Sequence, residues 1–60
     1  MRSRDMIRMI EANGWYRVAI KGSHHQYRHP YRPERVTVPL PDSDLPRGTI
    51  NSILRQAGLR

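Results

Sequence analysis

The chain has 60 residues, 37% of them hydrophobic, and reads as one small domain over residues 1–60; a chain this short buries only about 60% of its unfolded surface, so each element must contribute to a thin core. The absence of cysteine excludes disulfides and thiolate metal sites, and suits a reducing cytosol. Eleven Lys and Arg against five Asp and Glu give a net charge of +6, which favours a phosphate-backbone partner over a charge that serves solubility alone.

Arg2, Arg4, Asp5 and Arg8 interrupt the N-terminus, so neither a signal peptide nor a membrane span is expected, and the protein reads as cytoplasmic with no membrane partner. Met1 to Gly14 is predicted to be the first helix, with Ser3 as N-cap and Asp5 placed where a negative charge suits the helix dipole. At 100° per residue Met6, Ile7, Met9, Ile10 and Asn13 share one side, and Arg4, Asp5, Arg8, Glu11 and Ala12 the other. Asn13-Gly14 is a stop, since glycine adopts the left-handed conformation without penalty.

Two strands follow, Trp15 to Lys21 and His24 to His29. Gly22-Ser23 between them is a two-residue hairpin loop, with Gly22 supplying the positive φ of a type II′ turn. This turn sets Lys21 opposite His24, Ile20 opposite His25, Ala19 opposite Gln26, Val18 opposite Tyr27 and Arg17 opposite Arg28. Side chains alternate along a strand. One face then carries Tyr16, Val18, Ile20, His25, Tyr27 and His29 and should pack. The other carries Arg17, Ala19, Lys21, His24, Gln26 and Arg28 and should face water or a polyanion. A slip of one residue would reverse these assignments. Trp15 starts its strand on the basic side or fills the helix–strand corner, where burying an indole is the favoured outcome.

Pro30 to Glu34 reads as a loop, because two prolines so close together do not fit a central strand. The third strand is Arg35 to Val38, with Val36 and Val38 inward and Arg35 joining the basic face. Pro39 to Pro46 is a stiff, proline-broken connection. The second helix begins near Pro46, with Ile50, Ile53, Leu54 and Ala57 in one stripe; Gly58 ends it and Leu59 folds back as the apolar partner of the cap. The expected fold is α+β: a small α-β-β-β-α domain whose three-stranded antiparallel sheet has both helices on one face. Double-stranded-RNA-binding domains have this element order.

The three histidines cannot share a metal ion on these strands. His24 points opposite to the other two, and His25 and His29 lie roughly 13 Å apart. Asp42 and Asp44 suit loop and cap roles better than a divalent ion. No metal or cofactor is expected. No serine sits in a nucleophile elbow. General acid–base chemistry remains, for which histidine is the usual side chain near neutral pH. RNA brings its own nucleophile, the 2′-hydroxyl, so a small protein need supply only a base, an acid and cations. His24 fits as base or acid, Lys21 across the turn as a phosphate contact, and Arg28 and Arg17 extend the cationic track. The alternative is a His24 that merely contacts a phosphate within a non-catalytic RNA-binding module. A third possibility is a basic face that mainly docks an acidic protein.

The assembled motifs resemble the HicA family, the toxin half of HicAB toxin–antitoxin pairs. The resemblance runs nearly end to end. It takes in Ser3-Arg4-Asp5-Met6-Ile7, Asn13-Gly14-Trp15 and Gly22-Ser23-His24-His25-Gln26-Tyr27. It continues through Val36-Thr37-Val38-Pro39, Asp44-Leu45-Pro46-Arg47-Gly48-Thr49-Ile50 and Gln56-Ala57-Gly58-Leu59. It implies a double-stranded-RNA-binding-type fold, an endoribonuclease acting on mRNA, a HicB-type antitoxin as inhibitory partner, and His24 as the functional histidine. Lys21, Arg28, Arg17, Gln26 and Ser23 are then the candidate nucleic-acid contacts. One departure stands out. Where the family often has His-Pro followed by lysines, this chain has Leu40-Pro41-Asp42-Ser43, which removes a histidine and positive charge next to the second helix.

Overall fold

The computed structural model describes residues 1–40 and 43–60. The readings of Pro41 as part of a stiff connection, and of Asp42 as a cap or ion ligand, lie outside the described residues. The element order is α1 (Ser3–Ala12), β1 (Tyr16–Lys21), β2 (His24–His29), β3 (Arg32–Pro39) and α2 (Arg47–Gln56). The strands form one antiparallel sheet in the order β1-β2-β3, with β2 central. This is the α-β-β-β-α fold expected from the sequence.

The periodicity of the helices sets the core. Met6 and Ile10 of α1 and Ile53 and Ala57 of α2 are buried with Trp15, Tyr27, Val36, Val38 and Leu45, and Ile7, Ile50, Leu54 and Leu59 pack around them. Both helices therefore cover the same sheet face. The helix stops behave as the sequence indicates. Gly14 has φ 97° and Gly58 φ 72°, and the Leu59 amide returns to the Leu54 carbonyl at 2.8 Å.

Ser3 is not the N-cap of α1. Arg2 occupies that position with extended φ and ψ and no side-chain cap, and Ser3 is the first helical residue, fully buried. First-turn amides have no partner inside their own helix. The Ser3 amide finds one in the Ser43 carbonyl at 3.0 Å, and the Ser3 hydroxyl donates to the same oxygen at 3.3 Å. The Leu45 amide bonds the Met1 carbonyl at 2.8 Å, and Arg2 pairs with Asp44 in an antiparallel bridge. The segment leading into α2 is thereby strapped along the start of α1. Pro46 sits one position before α2 as its N-cap.

The third strand is longer than expected and the loop shorter. β3 starts at Arg32, so only Pro30 and Tyr31 lie outside strands, while Pro33 and Glu34 fall within β3. There the pairing jumps from Tyr27–Val36 to His29–Arg32, and Pro33, Glu34 and Arg35 oppose the single residue Arg28. Proline is tolerated at such an irregularity on an edge strand, where its missing amide costs no ladder bond.

The larger correction concerns β1. Lys21–His24, Ile20–His25 and Ala19–Gln26 pair as expected, but the register then slips between Arg17 and Ala19. Val18 becomes the extra residue of a β-bulge, so Arg17 opposes Tyr27 and Tyr16 opposes Arg28. A bulge reverses the alternation beyond it. Trp15 thus turns into the core, the favoured of its two expected places, and Tyr16 turns away from the helices. Val18 and Ile20 do not pack either: they are 44% and 53% exposed. The helices converge on β2 and β3, and among the described residues no element lies over the edge strand β1.

Candidate nucleic-acid interface

The open face of the sheet is built around the hairpin turn. Gly22 has φ 58°, and no described non-glycine residue has positive φ. Ser23 therefore does not share the left-handed conformation, which matches a type II′ turn and not type I′. The Leu40 amide donates to the Ser23 carbonyl, tying this turn to the end of β3. The register near the turn is regular and is pinned at one end.

His24 opens β2 with Lys21 directly opposite on β1 and Pro39 opposite on β3. Directly opposed residues share a face, with β-carbons about 4.5–5.5 Å apart. His24 and Lys21 are both exposed. Two residues on, Gln26 is flanked by Ala19 and Thr37, and its side-chain oxygen accepts a 2.8 Å hydrogen bond from Arg35 Nη1. Arg35 thus joins this face, as expected, and is oriented by Gln26. Arg28 lies two further on, half-buried and opposite Tyr16. From the turn outward the face presents Lys21 with His24, then Gln26 with Arg35, then Arg28 with Tyr16.

Of the six residues singled out from the sequence, the fold brings Lys21, His24, Gln26 and Arg28 to one surface, with exposed Ser23 in the adjoining turn. It separates Arg17 from them. Opposite Tyr27 rather than Arg28, Arg17 belongs to the helix side. Electrostatics agree: the Tyr27 phenol is held above its usual value by burial first and by Glu11 second, while Arg17 pulls it the other way. Tyr16 was missed as a member of the open face. The bulge that moved Arg17 out moved Tyr16 in.

The other two histidines serve different ends. His29 Nδ1 accepts the Tyr31 amide at 3.1 Å, so its Nε2 carries the proton and donates to the Asn13 carbonyl at 2.9 Å. Its ring also meets Trp15 edge-on at 5.2 Å. His29 is a fixed joint between the end of α1 and the β2–β3 turn. His25 faces the helices opposite Ile20 and Val38, and its buried Nδ1 has no hydrogen-bond partner. The three imidazoles do not converge, and among the described residues no group of three potential ligands is placed to hold a metal ion. No helix among them is long and apolar enough to cross a membrane.

This face gathers the cations Lys21, Arg28 and Arg35 along one surface with one exposed imidazole, His24. A family model described as HicA toxin of bacterial toxin-antitoxin matches residues 3–59. No curated protein sequence matches the chain.

Proposed function

We infer that this chain, which belongs to the HicA family of toxins from toxin–antitoxin systems, is an endoribonuclease that binds and cleaves mRNA on the open face of its sheet. The observation that supports this most is the pairing of exposed His24 with Lys21 across a hairpin turn tied to the end of β3. In RNA the 2′-hydroxyl attacks the neighbouring phosphorus, and the 5′-oxygen of the next nucleotide leaves. One proton must be removed from the nucleophile and one delivered to the leaving group. His24 performs one of these transfers, a role worth typically about 10²–10⁴-fold in rate. The Lys21 ammonium meets the charge that builds on the phosphate oxygens. Because the substrate carries its nucleophile, no metal-bound water is required. Arg28, Arg35 and Gln26 hold the strand alongside, and Ser23 lies at the turn beside the reacting phosphate.

The toxin acts in the cytoplasm and is inhibited by a HicB-type antitoxin that covers the same face. The net charge of +6 makes an acidic covering surface the complementary one. A second reading, a non-catalytic RNA-binding module, draws on the absence of any hydrogen-bond partner that would orient the His24 ring among the described residues.

The test is cleavage of a defined RNA by wild type and His24→Ala in the presence of EDTA, with circular dichroism on both. Cleavage by wild type alone, leaving a 2′,3′-cyclic phosphate and a 5′-hydroxyl, is the expected result. Full-rate cleavage by His24→Ala would remove His24 from the mechanism. Intact RNA retained by both proteins would make the chain a binding module.

A further inference from the structure

The β-bulge at Val18 does more than rearrange the core. It places an aromatic ring on a cationic surface where a regular strand would have put an arginine. Trp15 is buried in the core with its ring edge-on to His29, and side chains alternate faces along a strand, so Tyr16 projects from the opposite side of the sheet. Tyr16 is 50% exposed and stands directly across from Arg28. Its ring is unengaged: the two ring contacts among the described residues are Trp15–His29 and His29–Tyr31. Beyond its cross-strand pairing with Arg28, the exposed half of this ring has no partner within the core.

We propose that Tyr16 is a stacking platform for a nucleobase of single-stranded RNA, with Arg28 beside it holding the adjoining phosphate. The proposal rests on the reading that the open face takes RNA, and adds what part of RNA it takes and where. Single strands bind proteins through a cationic track that follows the backbone and aromatic rings on which bases stack. Here the track has a direction. Lys21 and His24 sit at the turn end of the hairpin, and Tyr16 and Arg28 sit at the other end, four residues along β2. That is about 13 Å of strand. The stacked base therefore lies a few nucleotides from the phosphate at His24. A base held this way must be unpaired, because a duplex offers side chains its edges and backbone but not its faces. The substrate at this site is accordingly single-stranded, despite the resemblance of the fold to double-stranded-RNA-binding domains. Stacking needs only a π-face, so this contact sets register on the strand without choosing a base.

The probe is a short 2′-O-methyl oligoadenylate, whose blocked nucleophile keeps it intact, with one 2-aminopurine placed at each position in turn. Binding and 2-aminopurine quenching are measured for wild type, Tyr16→Phe, Tyr16→Leu and Tyr16→Ala, with circular dichroism melts on all four. Wild type and Tyr16→Phe should quench the 2-aminopurine and bind alike. Tyr16→Leu and Tyr16→Ala should bind roughly 5- to 150-fold more weakly, the equivalent of one lost base–aromatic stack. Both should lose the quenching yet keep the salt dependence, since no charge is removed. The leucine variant retains apolar bulk, so it separates stacking from strand stability. Unchanged affinity or quenching in folded Tyr16→Leu would overturn the stacking platform and leave the RNA-binding face standing. Failure of wild type to bind the probe at all would overturn the RNA-binding face itself, and the platform with it.

Discussion

Gly14 turns the chain out of α1, and replacing it with alanine should cost far more than its backbone angle alone accounts for. Its φ of 97° lies in the region L-residues avoid, a strain of about 1–2 kcal/mol, partly offset by the roughly 0.4–1 kcal/mol that losing a glycine takes from the unfolded chain. Gly22, at φ 58°, carries a comparable strain, and a β-carbon there would meet nothing within 4 Å. A β-carbon on Gly14 would sit 2.6 Å from His29 Nε2 and 3.2 Å from His29 Cδ2. The ring must move, yet it is held by hydrogen bonds to Asn13 and Tyr31 and by its edge contact with Trp15. Loss of one hydrogen bond and one ring contact is worth about 2 kcal/mol together. Gly22→Ala should then lower stability by about 1 kcal/mol or less, and Gly14→Ala by about 3 kcal/mol. For a domain this small the gap between the two variants is about 8–16 °C in Tm. Thermal melts followed by circular dichroism measure it. A double-mutant cycle adds the cause: in a His29→Ala background the extra penalty of Gly14→Ala should vanish. If the two glycine variants melt together, or if the penalty survives the loss of His29, the close packing of this corner is not what makes Gly14 necessary.

Two further outcomes follow from charge and burial. The Tyr27 phenol is raised above its usual value of 10.0, chiefly by burial. The folded state therefore keeps this proton where the unfolded chain releases it. The associated stability is complete below the unfolded value and is lost as pH rises through the folded one. Urea midpoints between about pH 9 and pH 11 should decline less in Tyr27→Phe than in wild type; identical declines would show that Tyr27 ionisation does not limit alkaline stability. On the open face, Lys21→Ala should reduce the slope of log K against log salt for single-stranded RNA by about 0.7, the share of one phosphate. An unchanged slope would place Lys21 away from the backbone.

Much of the fold was legible because its signals are local. The apolar stripes of α1 and α2, the stops at Gly14 and Gly58, and the Gly22-Ser23 turn are each set within a few neighbouring residues, and the structure keeps them. So is the pairing of Lys21, Ile20 and Ala19 with His24, His25 and Gln26, which depends on the turn alone. His24 and Lys21 could therefore be placed on one face from sequence. What failed was alternation carried past Val18. Trp15 and Ile20 are both large and apolar, and five positions apart on a regular strand they must point to opposite faces. Either one stays exposed or the strand slips. The conflict was present in the sequence, and the area an indole buries favoured a buried Trp15, but that preference was not carried into the register of the strand. Carried through, it yields a bulge, sends Arg17 to the helix side beside Tyr27 and brings Tyr16 out beside Arg28. Ile20 is left half-bare on an edge strand, which only the positions of the helices could reveal. The strap from Ser43 to Leu45 along α1 is a tertiary pairing with no pattern of its own, and it displaced Ser3 from the cap to the first helical turn. Local signals thus fixed the half of the interface nearest the turn. The other half, and the aromatic ring within it, came from a contest over which residue the core would accept.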